Sequence, residues 1–101
     1  MRYEIATNSE EVVLALSDRL TAVDATTFRR VVESLQGDSI KSMVIDMAQL
    51  DYIDSAAMGL LVLVRDAAAE RRIAMKVRSP RGQVKKAFDI FNFDQLFTIE
   101  P

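Results

Sequence analysis

The pair Asp54-Ser55 offers the most chemistry of any segment, because it stands where a short mixed stretch, Asp51-Tyr52-Ile53, gives way to the long aliphatic run that starts at Ala56. An oxygen at a helix entrance has two uses. It can satisfy one of the backbone N–H groups that the first turn leaves without a partner. A hydroxyl there is also well placed to carry a phosphate, since free amides and the positive end of the helix dipole stabilise a dianion. The two uses are compatible, and the residues leave both open. A serine nucleophile would need a neighbouring base. The chain contains no histidine and no cysteine, so imidazole and thiolate chemistry are both missing, and no enzyme activity is expected.

Other candidates are weaker. Asp46, Asp51 and Asp54 match no calcium-loop spacing and are separated by apolar residues, so neither a metal nor any other cofactor is expected. Thr21, Asp24 and Thr26 belong to the loop and helix start after the second strand, at the same end of the sheet as Ser55. Asp24 reads as a helix cap. Met43, Met47, Met58 and Met75 and Phe88, Phe91, Phe93 and Phe97 read as core, with Met58, just inside the helix start, also able to adapt to a partner. Arg78, Arg81, Lys85 and Lys86 read as solvated surface, with a nucleotide or an acidic loop as the alternative ligand.

The elements that must position Ser55 follow from hydrophobic period. Tyr3 and Ile5, then Val12 to Leu16, are separated by the polar group Asn8 to Glu11 and predict two strands joined by a turn. After a loop over Ser17 to Val23, Phe28, Val31, Val32 and Leu35 recur at helical spacing, and Gly37 is placed to end the helix. Ser42 to Met47 predicts a buried strand. The stretch from Ser55 to about Arg72 is too long for a strand and rich in helix formers, so a largely buried helix is expected. Ile73, Met75 and Val77 predict a fourth strand. Ser79-Pro80 suggests a cap followed by proline at the first helical position, leading into Val84, Ala87, Phe88 and Phe91. Asn92 is placed to end that helix, and Thr98-Ile99 suggests a short terminal strand. Strands alternating with helices imply an α/β fold: a mixed sheet of four to five strands, the inner ones parallel, with three to four helices in one domain over residues 1–101.

Composition narrows the function further. The chain has 101 residues, of which 50% are apolar and 28% charged, as expected of a folded domain rather than a disordered segment. A net charge of -2, with no basic run longer than a pair, lacks the footprint that counterion release on nucleic acid requires. The apolar run from Ala56 to Val64 is less than half the roughly 20 residues a membrane span needs, so no membrane insertion is expected. Met1 to Ile5 does not read as a signal peptide, and a cytoplasmic location is the expectation.

The string Tyr52-Ile53-Asp54-Ser55-Ala56-Ala57-Met58-Gly59, followed by an apolar helix, resembles the signature of STAS domains of the bacterial anti-sigma factor antagonist type. The likeness extends from the first strand pair through Asp46 to Leu50, and on to Val84 to Phe93. Two positions depart from the pattern: Ala57 stands where glycine is common, and the loop Ser17 to Ala22 lacks its usual glycine. The resemblance implies a non-catalytic protein that is phosphorylated at the serine after the aspartate, here Ser55. Unphosphorylated, it would bind an anti-sigma factor serine kinase and release a sigma factor; a PP2C-type phosphatase would reverse the modification. Partner contacts would fall on Asp54, Ser55, Ala56, Met58, Thr21 and Asp24, and the protein would be a monomer or weak dimer. The same family implies a second function, that of an unphosphorylated STAS subunit of an ABC-type lipid-transport complex.

Overall fold

Alternation of apolar and polar residues builds the first hairpin in the computed structural model, which describes residues 1–35 and 39–101. Strand β1 (Arg2–Asn8) pairs antiparallel with β2 (Glu11–Leu20) across the two-residue turn Ser9-Glu10. Val12, Leu14 and Leu16 point into the core from β2. A 3-10 turn at Ala22–Asp24 then leads into helix α1 (Ala25–Leu35), which buries Phe28, Val31 and Val32. Gly37, the expected helix terminator, lies outside the described residues.

Strand β3 runs from Ser42 to Ile53, six residues beyond the expected end, and β2 extends to Leu20 through most of the expected loop. Both extensions have one cause. The β2–β3 register shifts twice, between Ala15 and Ser17 and between Asp18 and Arg19, and each shift inserts an extra residue into β3. The β3 residues that join the main core cluster therefore run Met43, Ile45, Met47, Leu50, Ile53, with spacing that changes from two to three, so the tail of the strand does not show strand periodicity. Asp18 adopts φ 71°, a left-handed conformation that aspartate tolerates, where the resemblance would have glycine nearby.

Helix α2 (Ser55–Glu70) follows, then β4 (Ala74–Arg78), α3 (Gly82–Ile90), a 3-10 turn at Phe93–Gln95, and β5 (Thr98–Glu100). Helix α2 ends without glycine. Arg72 takes φ 60°, and the Ile73 N–H donates to the Ala68 carbonyl at 2.9 Å, closing a Schellman motif. The expected cap at Ser79-Pro80 is not used: Ser79 turns with φ 57°, and the helix starts three residues later with Arg81 at the cap position. Asn92, at φ 54°, follows the end of α3 as expected.

The five strands lie in the order β1-β2-β3-β4-β5, antiparallel only between β1 and β2. Each parallel crossover steps to the next strand in the same sense, so right-handed connections lay all three helices on one face. Their apolar sides and the inner sheet face form one buried cluster. The other face carries an ion group in which Glu100 pairs with Lys76 at 2.6 Å and Arg78 at 3.2 Å. No helix among the described residues is long and apolar enough to cross a membrane.

Candidate functional site

The helix α2 start shows which residue of Asp54-Ser55 is the cap. Asp54 has extended backbone (φ -101°, ψ 173°) and is the N-cap: its Oδ1 accepts from the Ala57 N–H at 2.8 Å. Its Oδ2 accepts from the Ala22 N–H at 3.0 Å, so one carboxylate ties the helix start to the 3-10 turn after β2. The backbone reinforces this tie, since the Asp54 N–H donates to the Leu20 carbonyl at 3.3 Å and the Asp54 carbonyl accepts from the Met58 N–H at 3.1 Å. With the cap position filled, Ser55 is the first helical residue. It is exposed, and among the described residues its hydroxyl has no hydrogen-bond partner.

Thr21 and Asp24 lie beside this junction, but Asp24 does not cap α1. Its carboxylate faces back along the chain, accepting from the Thr21 N–H at 3.0 Å, the Thr21 hydroxyl at 3.4 Å and the Met1 ammonium at 3.2 Å. The 3-10 turn between them explains the correction, because it places Asp24 at the end of a preceding turn rather than ahead of the helix. Burial pushes the Asp24 carboxyl up; the hydrogen bonds from Thr21 and the ammonium group outweigh it and hold the carboxyl below its ordinary value of 3.8. Thr26 is exposed on α1.

Ala56 is exposed, whereas Met58 is only 5% exposed and contributes one wall of an apolar groove rather than a free contact. The groove has a volume of about 170 Å³ and is lined by Ser55, Met58, Gly59, Val62, Phe91 and Phe93. Phe91 was expected in the core by its helical spacing. It is instead 57% exposed, because α3 ends at Ile90 and the chain turns before its side chain can reach the sheet. Phe88, Phe93 and Phe97 do pack together, with centroid distances of 4.9 and 5.4 Å. Helix α2 is likewise less buried than its composition implies, with Leu63 57% exposed. The groove that Ser55 lines is thus mostly apolar.

Two residues at the α3 start escaped the sequence reading. Gln83 donates from Nε2 to the Ile53 carbonyl and accepts at Oε1 from the Ile53 N–H, each at 2.9 Å. Arg81, read as solvated surface, donates to the Ala48 carbonyl and to Asp51 Oδ1, the latter at 2.8 Å. Gly82 between them was the available signal: its φ of 54° is the conformation that glycine adopts without penalty. Asp46 accepts from the Ala48 N–H at 3.0 Å, so the three aspartates once weighed together as metal ligands have separate structural duties.

A family model described as the STAS domain matches residues 2–101. The chain belongs to the STAS domain family. A STAS-domain containing protein of Pseudomonas aeruginosa is 38% identical over 56 residues, which is 55% of this chain and 55% of that one; the match thus spans about half the length of that relative. Among solved structures, an anti-sigma factor antagonist from Mycobacterium paratuberculosis superposes with a TM-score of 0.86 at 15% identity, over 99% of this chain and 85% of that one. The anti-sigma factor antagonist SpoIIAA in its unphosphorylated form gives 0.82 at 15% identity, over 99% and 89%. It has also been solved in its phosphorylated form, where the TM-score is 0.75. A sulfate transporter family protein from Wolinella succinogenes shares the fold at 0.74, with 14% identity over 92% and 75%. At such identities the superpositions establish the STAS fold.

Proposed function

We propose that this STAS domain is an anti-sigma factor antagonist, a non-catalytic, cytoplasmic regulator of transcription switched by phosphorylation at Ser55. Unphosphorylated, it binds an anti-sigma factor serine kinase and frees a sigma factor; a PP2C-type phosphatase restores this form. The observation that carries the reading is the division of labour at α2: Asp54 takes the cap, and Ser55 is left exposed with an unbonded hydroxyl beside an apolar groove. A kinase can reach that oxygen without unfolding the helix.

The chemistry of the switch follows from where the phosphate would sit. Phosphorylation adds roughly -1.5 to -2 charges, and the first-turn amides of α2 accommodate them in the free protein. A partner covering Met58, Val62 and Phe91 would have to desolvate that dianion against an apolar surface. A penalty of about 3 to 4 kcal/mol lowers affinity by some two to three orders of magnitude, enough to release the partner. Asp54, Thr21 and Asp24 shape the contact by holding the 3-10 turn against the helix start, and Ala22 to Asp24 present Val23, 90% exposed, next to it.

Incubation with the cognate kinase and ATP, followed by mass spectrometry and binding measurements, tests the proposal. Modification at Ser55 with loss of kinase affinity is expected. Modification elsewhere, or equal binding by the phosphorylated form, would overturn it.

A further inference from the structure

Among the described residues, the tail of β3 has a strand neighbour on one side only. Strand β4 pairs with β3 from Ser42 to Asp46, whereas β2 continues alongside β3 as far as Ile53. Backbone groups on the β4 side of residues 47–53 therefore have no strand to bond. The start of α3 supplies substitutes. Arg81 bonds the Ala48 carbonyl, and the Gln83 amide bonds both the N–H and the carbonyl of Ile53.

We infer that Gln83 is a positioning residue for the Asp54–Ser55 turn, a role that rests on the phosphorylation reading above for its functional consequence. A primary amide presents an N–H donor and a carbonyl acceptor side by side, as a strand neighbour would at this residue. Ile53 thus stands beside its register partner Leu20 of β2 on one side and is bonded by Gln83 of α3 on the other, immediately before the cap. The clamp also joins the two walls of the groove. One wall is α2 with Ser55, Met58, Gly59 and Val62; the other, with Phe91 and Phe93, follows α3, whose first turn carries Gln83. Without the clamp, Ile53 keeps its core contacts but loses the bonds that set the angle at which the chain enters α2.

The test uses the full chain and two variants. Gln83→Leu keeps the approximate shape and removes both bonds. Gln83→Glu keeps the acceptor, loses the donor while ionised, and regains it when protonated. Amide NMR of both variants reads the Ile53, Ser55 and Ala56 signals, and phosphorylation by the cognate kinase reads kcat and KM separately. The inference expects faster exchange at the Ile53 amide and displaced Ser55 and Ala56 signals in both variants at pH 7. In Gln83→Glu these signals return toward wild type as pH falls through the carboxyl titration, near 4.3 or above. It also expects kcat for Ser55 to fall about tenfold with KM little changed, because the docking surface is intact while the hydroxyl is misplaced. Changes confined to Ile53, with Ser55, Ala56 and kcat unmoved, would reduce Gln83 to a local hydrogen-bonding role and overturn the inference. If the wild type is not phosphorylated at all, the switch proposal fails, and the Ser55 and Ala56 signals with their pH-dependent rescue still decide whether Gln83 positions the turn. Should Gln83→Leu fail to fold, Gln83→Glu compared across pH answers the same question.

Discussion

Helices α2 and α3 start at the same end of the sheet, each after a parallel strand, yet they are built in opposite ways. The α2 start is capped from within: the Asp54 carboxylate accepts from Ala57 and, among the described residues, from one residue outside the helix, Ala22, which leaves the Ser55 hydroxyl without a partner. The α3 start has no side-chain cap; Arg81 and Gln83 spend their polar groups on β3, with Gly82 twisted between them. The difference separates a start whose serine hydroxyl is left unbonded, as the proposed phosphorylation requires, from a start whose side chains are tied to the neighbouring strand. A hydroxyl can be phosphorylated without loss of stability only if the fold does not use its oxygen.

The contrast makes graded predictions. The largest effect is functional: Ser55→Ala should abolish modification by the kinase while stability in urea changes by less than about 0.5 kcal/mol. A large loss of stability would show that the hydroxyl is structural after all. Next, Asp54→Ala should destabilise the domain by about 2 kcal/mol, because it removes a cap and the bond to Ala22 together; denaturant melts check this, and a cost no greater than that of Ser55→Ala would erase the division of labour. At the α3 start, Gly82→Ala should cost about 1 kcal/mol through its left-handed backbone alone, since nothing lies within 4 Å of where a Cβ would stand. A neutral result would mean that the α3 start relaxes freely and is no brace.

The smallest effect concerns Asp24. Its carboxyl titrates below 3.8 in the folded protein, so the ionised form contributes stability that is fully present above that value and is lost as pH falls through the folded pKa. Asp24→Asn should therefore lower stability at pH 7 by less than about 1 kcal/mol, with the gap between variant and wild type closing below pH 3.8. Urea melts at several pH values measure that gap. A gap independent of pH would place the effect in shape rather than charge.

Much of this was legible from residues in order. The spacing of Phe28, Val31, Val32 and Leu35 and the composition of the Ser55 to Arg72 stretch report local backbone preference and one-sided burial, and α1 and α2 follow them. Missing histidine and cysteine bounded the chemistry without any coordinates. The chain also marked Asp54-Ser55 as a helix entrance. It could not say which residue would be the cap, because both side chains can accept from the first turn; the second acceptor bond, to Ala22 thirty-two residues away, is a contact that exists only once β2 and β3 lie side by side.

Tertiary structure alone decided the rest. Two bulges break the alternation of β3, so its tail reads as loop until β2 is beside it. The clamp of Gln83 on Ile53 joins residues thirty apart and leaves no periodic trace. Phe91 has the spacing of a core residue and a surface position, since where a helix stops against its sheet decides which of its apolar residues find a place inside. Local preference names the elements and the helix entrance at Asp54-Ser55; long-range pairing determines what each polar group is bonded to, and so which one remains available.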